Sequence, residues 1–290
     1  MKNKNCIICN NNKFILAFPF GTYYNKKKFK YYKCKSCNFV VIDPYPNKFD
    51  FKKLYNNKTY HEKYYSNLET SEYKKSAEYL SNYLVGKKKI LDFGCGSGHF
   101  INQIKNKHLC YGAEYEMDTV KKCREKIKNA IFFQSDEIYK KKFDYYFDAI
   151  HLGDVLEHVT NPNYLLKKLQ KKIKKNGILY LDGPIERNFS LVNLSIILFG
   201  NIKRFLIPNF KNNFEPYHLY FCNFKNQLLM FKKIKNYKIV KYEIYETGWP
   251  YNNGGIIKKI IVILAKLFSQ LNIFDFKIGN RARIIVKKYD

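Results

Sequence analysis

Residues Ile90 to Phe100 read Ile-Leu-Asp-Phe-Gly-Cys-Gly-Ser-Gly-His-Phe. A short apolar strand runs into Asp92, glycines stand at 94, 96 and 98, and a helical pattern opens directly after them. Glycine lets the backbone turn sharply and lets a ligand approach where a Cβ would block it. A strand, a tight glycine turn and a helix make the first unit of a doubly wound α/β fold, with its ligand at the carboxyl end of the strand. The spacing is G-x-G-x-G. A dinucleotide fingerprint requires G-x-G-x-x-G, but position 99 is His, which weakens a nicotinamide reading. No phosphate-binding lysine follows the glycines, so a P-loop is excluded. Asp92, just before the turn, puts a carboxylate where a cationic ligand can meet it.

From Lys88 onward, apolar runs and helical periodicities alternate. The pattern predicts strands at 88–92, 109–114, 130–133, 147–152, 177–182, 238–245 and 282–287. It predicts helices near 98–107, 116–128, 162–174, 223–235 and 255–270, and a leading helix over Leu68–Leu84. Seven strands with intervening helices imply a Rossmann-like α/β sheet covered by helices on both faces. The predicted organisation is a small N-terminal module (1–45), a linker with its leading helix (46–87), and the main domain (88–290), with lid insertions near 185–220 and 247–275. Phe189–Phe199 and Ile256–Phe268 are strongly apolar. Both are too short or too charged to span a bilayer. They read as core or lid helices, or as interfacial helices that meet a membrane surface or a lipid-linked substrate.

The second strand, Leu109–Glu114, ends in a carboxylate 20 residues after Gly94. An acid there can accept hydrogen bonds from a ribose diol. The third strand is followed by Gln134-Ser-Asp136-Glu137; a helix N-cap is the plain reading of Asp136. The acid, the alternating glycines and the second acid together resemble class I S-adenosylmethionine-dependent methyltransferases. The resemblance implies a cofactor site formed by Asp92, Gly94, Cys95, Gly96, Gly98, Glu114, Tyr115, Asp136 and Glu137. Within it, Glu114 would hold the ribose and Asp136 the adenine amino group.

The fourth strand leads into Asp154-Val-Leu-Glu157-His158-Val159, and later comes Glu215-Pro-Tyr-His218-Leu-Tyr-Phe221. The first run resembles the family that includes the ubiquinone-biosynthesis O-methyltransferases. The resemblance implies an acceptor site at Glu157 and His158, with a divalent cation, magnesium, held by Asp154, Glu157 and His158. Carboxylates suit magnesium but His does not favour it, and the same acids can cap a helix. His218 precedes the helix that covers the active site in related enzymes. His158 and His218 are both candidates for the base, and the sequence does not choose between them. The resemblance covers about 88–290, including the closing strand Gly279–Lys288.

Cys6-Ile-Ile-Cys9 is followed, after 24 intervening residues, by Cys34-Lys-Ser-Cys37. Two such pairs supply four thiolates for a tetrahedral structural zinc; iron in a rubredoxin-like site is a weaker reading. No strand–helix pattern surrounds either pair, which argues against a thioredoxin-type role. Asn10 and Asn38 follow the second Cys of each pair, where Asn tolerates a left-handed backbone. Cys95, Cys110, Cys123 and Cys222 fall inside apolar or helical patterns and read as packed thiols. A four-cysteine module ahead of such a domain resembles sugar methyltransferases of surface-glycan and deoxysugar pathways. Some of those act on carbon and carry a further C-terminal domain. Here the sequence ends at the last strand, which favours O-methylation.

The formal charge is +29, which invites a nucleic-acid reading. Of the 53 basic residues only five are Arg, whereas base recognition favours the planar Arg fork. Lys, Asn, Ile, Tyr and Phe are abundant together and share A/T-rich codons, so biased codon usage accounts for much of the charge. No signal-peptide pattern precedes Pro19, and a cytoplasmic protein with reduced thiols is expected. The expected function is methyl transfer from S-adenosylmethionine to a small hydroxylated acceptor, a sugar or nucleotide-linked intermediate of surface-glycan biosynthesis, with no specific nucleic-acid partner. The rivals are an RNA methyltransferase that grips RNA with the zinc ribbon, and a non-catalytic zinc-ribbon scaffold.

Overall fold

The computed structural model describes residues 5–18, 21–55, 70–207, 215–270 and 277–289. The strands in chain order are β1 (Phe14–Leu16), β2 (Thr22–Tyr24), β3 (Lys27–Cys34), β4 (Val40–Asp43), β5 (Lys89–Phe93), β6 (Leu109–Glu114), β7 (Ala130–Gln134), β8 (Phe147–Gly153), β9 (Ile173–Pro184), β10 (Tyr220–Phe221), β11 (Tyr237–Tyr245) and β12 (Arg281–Lys288). The α-helices are α1 (Lys48–Tyr55), α2 (Thr70–Ser81), α3 (His99–Ile104), α4 (Met117–Lys126), α5 (Pro162–Gln170), α6 (Leu191–Leu206), α7 (Phe224–Lys232) and α8 (Ile256–Gln270). Two compact units are present. One comprises Met1–Tyr45, Pro184–Lys232 and Tyr242–Arg283; the other comprises Pro46–Gly183, Lys233–Lys241 and Ile284–Asp290.

The second of these units is built on a seven-stranded sheet of order β11-β12-β9-β8-β5-β6-β7. β5 pairs in parallel with β6 on one side and with β8 on the other, and β6–β7 and β8–β9 are also parallel. The strand order therefore reverses at β5, and the crevice outside its carboxyl end is the topological switch point where such sheets take ligands. This is the expected Rossmann-like α/β architecture. Adjacent residues Ile90 and Leu91 point to opposite faces and both are buried, as a parallel sheet covered on both sides requires. On one face, Leu80 of α2, Phe100 and Ile104 of α3 and Val120 of α4 pack with Ile90, Ala149 and Tyr180 of the sheet.

The element pattern differs from the sequence expectation in specific places. The helix expected over 162–174 stops at Gln170, and β9 begins at Ile173 rather than at 177. Ile173 is fully buried and pairs with Phe147, but the register then shifts between Phe147 and Ala149. Asn176 adopts a left-handed φ of 58° at this irregularity. The polar Lys-Lys-Asn-Gly run is thus the bulge of a strand and not a helix end. α5 starts as its sequence suggests: the Asn161 side chain accepts the Tyr164 N–H at 3.0 Å, and Pro162 occupies the first turn. Of the predicted linker, 56–69 lies outside the described residues, as do 208–214 and 271–276 of the predicted lids.

The other unit contains a five-stranded sheet, β1-β3-β4-β10 with β2 on β3. Its fourth partner is not N-terminal. β10 pairs antiparallel with β4, aligning Tyr220 with Val41 and Phe221 with Val40. The Ile42 N–H donates to the Leu219 carbonyl at 2.9 Å, and Asn226 Nδ2 of α7 donates to the Cys37 carbonyl at 2.9 Å. In the same unit α6 and α8 pack through Val192, Val262 and Ala265, with Tyr251 beside them.

Candidate functional site

The turn after β5 has the backbone that its glycines permit. Gly94, Gly96 and Gly98 adopt φ of 76°, 50° and 76°, which side chains other than Gly rarely adopt. A Cβ on Gly94 would stand 2.6 Å from Val155 Cγ2 in the loop after β8. A Cβ on Gly98 would stand 2.6 Å from Ile127 Cδ1. The Gly94 and Cys95 N–H groups donate to the Ala113 carbonyl at the end of β6, at 2.8 and 3.2 Å. Cys95 is buried, as a packed thiol should be, in contact distance of the position a Gly112 side chain would take. Burial and the neighbouring Cys123 thiol push the Cys95 thiol up, the hydrogen bond with Cys123 acting most strongly.

Glu114 closes β6 beside this turn. Its carboxylate accepts the Gly96 N–H at 2.8 Å and the Tyr115 N–H at 2.7 Å. Burial pushes its carboxyl above the ordinary value, and these two donors pull the other way. Tyr115 is exposed, with its ring edge-on to Tyr55 at 6.4 Å. After β7, Asp136 and Glu137 lie in a short 3-10 helix (Ser135–Tyr139), where Asp136 is exposed. Glu137 makes an ion pair with Lys140 at 3.0 Å. No side-chain cap is made at that helix's N-terminus.

Asp92 is only 3% exposed, and its Oδ1 lies 2.7 Å from His151 Nδ1. His151 is the cross-strand partner of Asp92 in the β5–β8 register. Its ring stacks on Phe100 with centroids 3.8 Å apart. Beside it, Ser76 Oγ and Tyr180 Oη are 2.8 Å apart, and Tyr180 donates to Asp182 Oδ2 at 3.3 Å. A buried polar network thus underlies the glycine turn at the ends of β5, β8 and β9. His151, Tyr180 and Asp182 are not among the sequence-predicted site residues. No local signal marks His151, which comes opposite Asp92 only in the β5–β8 register.

In the loop after β8, Asp154 has a left-handed φ of 51° and its N–H donates to the Asp182 carbonyl at 3.0 Å. Glu157 and His158 fall in one 3-10 turn (Leu156–His158). Glu157 is 4% exposed, and its Oε1 is 3.9 Å from His158 Nε2. The His158 ring meets the edge of Tyr55 at 6.2 Å. In the other unit, His218 Nδ1 lies 2.6 Å from Glu186 Oε1, and the His218 carbonyl accepts the Tyr31 hydroxyl at 3.3 Å. Glu186 is not among the sequence-predicted site residues. It follows the end of β9 by two residues, and strand ends are where α/β sheets carry such groups.

The four expected ligands Cys6, Cys9, Cys34 and Cys37 are brought together, with all sulfurs within 4.8 Å of one another. Cys6 and Cys37 sulfurs are 3.6 Å apart, and Cys9 and Cys34 sulfurs 3.5 Å. A tetrahedral ion with metal–sulfur bonds of about 2.3 Å separates its ligands by roughly 3.8 Å, so the cluster fits such an ion. Asn10 and Asn38 have the left-handed φ expected, 62° and 60°. Their N–H groups donate back to the Cys6 and Cys34 carbonyls, closing both turns. A hydrogen bond from Cys37 draws the Cys6 thiol down to about 5.

A methyltransferase-domain family model matches residues 60–204, half of the chain. The fold is similar to that of a candidate methyltransferase from Bacillus halodurans, at 15% identity and a TM-score of 0.51, covering 76% of this chain and 100% of that one. A S-adenosylmethionine-dependent methyltransferase from Methanosarcina mazei is similar at 15% identity and a TM-score of 0.50, with coverage of 73% and 97%. The [4+2]-cyclase SpnF is similar to the same degree, 15% and 0.50, with coverage of 74% and 81%. At these identities the likeness is one of fold. No curated protein matches the sequence.

Gly94→Ala tests the turn. A left-handed alanine costs about 1–2 kcal/mol, and its methyl would also collide with the stiff β-branched Val155. Urea denaturation should show a loss of about 2 kcal/mol or more. Adding Val155→Ala should recover the collision but not the backbone part. An unchanged midpoint for Gly94→Ala would refute this account of the turn.

Proposed function

Because the chain belongs to the methyltransferase-domain family, we propose that it moves the methyl group of S-adenosylmethionine to a hydroxyl oxygen of a small acceptor. The acceptor in this reading is a sugar or nucleotide-linked intermediate of surface-glycan assembly. One observation carries the cofactor half: the Glu114 carboxylate and the left-handed glycine turn meet through the Gly96 N–H at the switch point of the sheet. When bound, the cofactor supplies a methyl group on a sulfonium, a good leaving group. Each carboxylate oxygen has two acceptor positions, so Glu114 can hold Gly96 and Tyr115 and still accept from a ribose diol. Asp136, exposed and not used as a helix cap, is assigned to the adenine amino group. Asp92, bonded to His151, acts through the turn that it underpins.

Oxygen acceptors benefit from a base that takes the hydroxyl proton as the new bond to carbon forms. Of the two candidate histidines, His218 is the better supported. Glu186 on its Nδ1 favours the tautomer in which Nε2 accepts a proton. His158 Nε2 lies 3.9 Å from Glu157 Oε1. The scarcity of Arg among 53 basic residues favours a compact acceptor over RNA.

The test supplies labelled S-adenosylmethionine with total RNA and, separately, with a metabolite and nucleotide-sugar extract. Label is expected in the small-molecule fraction. Stoichiometric label at one RNA site near physiological salt would replace this reading with RNA methylation. With the true acceptor, His218→Ala should lower turnover about 10²- to 10⁴-fold and leave S-adenosylhomocysteine affinity nearly intact. Glu186→Gln should shift the pH profile of turnover. Full turnover in both variants would remove the base from His218.

Cys6, Cys9, Cys34 and Cys37 are assigned to one structural zinc. Elemental analysis of protein purified without added metal should find about one equivalent per chain, and Cys34→Ser should lose it together with the fold of the module. Metal content far below one equivalent in well-folded protein would overturn the assignment.

A further inference from the structure

Helices α6 and α8 carry an apolar surface that their own packing does not use. They meet through Val192, Val262 and Ala265. Away from that seam, eight side chains of α6 and seven of α8 are large, apolar and exposed. Phe205 and Leu206 at the end of α6 are 86% and 70% exposed, and Ile256 at the start of α8 is 79% exposed. Patches of this extent on a protein surface mark interaction sites. On α8 the exposed apolar positions 256, 260, 263, 264 and 267 recur at helical spacing, so they form one continuous arc.

The chemistry around this arc identifies its partner. Neither helix contains an acidic residue. At 100° per residue, Lys259 and Lys266 fall on one border of the α8 arc, and both are exposed. Lys203 is exposed near the end of α6. Trp249, the one tryptophan of the chain, is 53% exposed in the loop that leads to α8, where Gly248 abuts Val262. An apolar arc bordered by lysines, on helices that themselves carry no carboxylate and with a tryptophan nearby, has the composition of a helix that lies in the headgroup region of a bilayer. No helix among the described residues is long and apolar enough to cross a membrane.

We propose that the α6–α8 face docks onto an anionic lipid surface, with the apolar arc in the headgroup boundary and the lysines on lipid phosphates. The proposal stands independently of the acceptor assigned above, although a membrane-seated enzyme would have ready access to lipid-linked acceptors. The test is flotation of the full-length protein with vesicles of phosphatidylcholine, alone or mixed with phosphatidylglycerol. The wild type should float with the mixed vesicles, and lipid brominated on its chains should quench Trp249 fluorescence. Ile256→Ser, Ile260→Ser and Ile263→Ser combined leave the charge unchanged and alter only exposed positions, and this variant should partition at least about tenfold less, as the loss of three buried side chains implies. Lys259→Gln with Lys266→Gln should lose the preference for phosphatidylglycerol. Equal partitioning of the serine variant would show that net charge alone drives binding and would overturn the proposal. Absence of Trp249 quenching in the wild type would overturn it without any variant. A wild-type dimer that the serine changes dissociate, with no flotation, would assign the face to a second copy instead.

Discussion

Gly94 has no room for a side chain, and much of the site follows from that. Its nearest neighbour across the turn is Val155, which belongs to the loop that also carries Asp154, Glu157 and His158. Because Gly94 lacks a Cβ, the loop after β8 can close against the turn after β5. The same turn is fixed from the other side by β6, through the Ala113 carbonyl and the Glu114 carboxylate. Three strand ends are thereby tied together through backbone groups of the turn, met by the Ala113 carbonyl, the Glu114 carboxylate and the Val155 side chain. Such ties lose little side-chain entropy and leave little play.

Charge is distributed unevenly in consequence. The chain is strongly basic, yet Asp92, Glu157 and Asp182 are buried in the sheet unit where its strands end. A buried carboxylate is costly unless it is hydrogen-bonded. Asp92 meets that requirement through His151, and Asp182 through Tyr180. The acids are held in place by neighbours that themselves pack in the core, as the Phe100–His151 stack does.

The parts legible in the sequence were those with a local signature. The glycine turn, the cysteine pairs and the central strands each depend on residues within a few positions of one another. Asn10 and Asn38 could be read as left-handed because that preference belongs to the residue itself. The parts that were not legible depend on register or on distant pairing. His151 became significant only once β5 and β8 were aligned. Glu186 did so only once His218 was brought to it. β9 could not be given its start because a bulge hid the first pairing, Ile173 with Phe147. A two-residue strand such as β10 has no pattern of its own and exists only through its partner β4.

That last pairing bears on the order in which the protein is made. Tyr31 and the His218 carbonyl that it contacts are 187 residues apart. At synthesis rates of about 5–20 residues per second, the cysteine-bearing strands leave the ribosome on the order of ten seconds or more before the strand that completes their sheet. Through that interval β4 is an unpaired edge with two adjacent valines, the kind of edge that attracts other chains. The bond from Asn226 to the Cys37 carbonyl also forms only at the end of the interval. The sulfur cluster, in contrast, is complete once Cys37 has emerged. An ion bound there would give the nascent module its shape while its sheet is still one strand short.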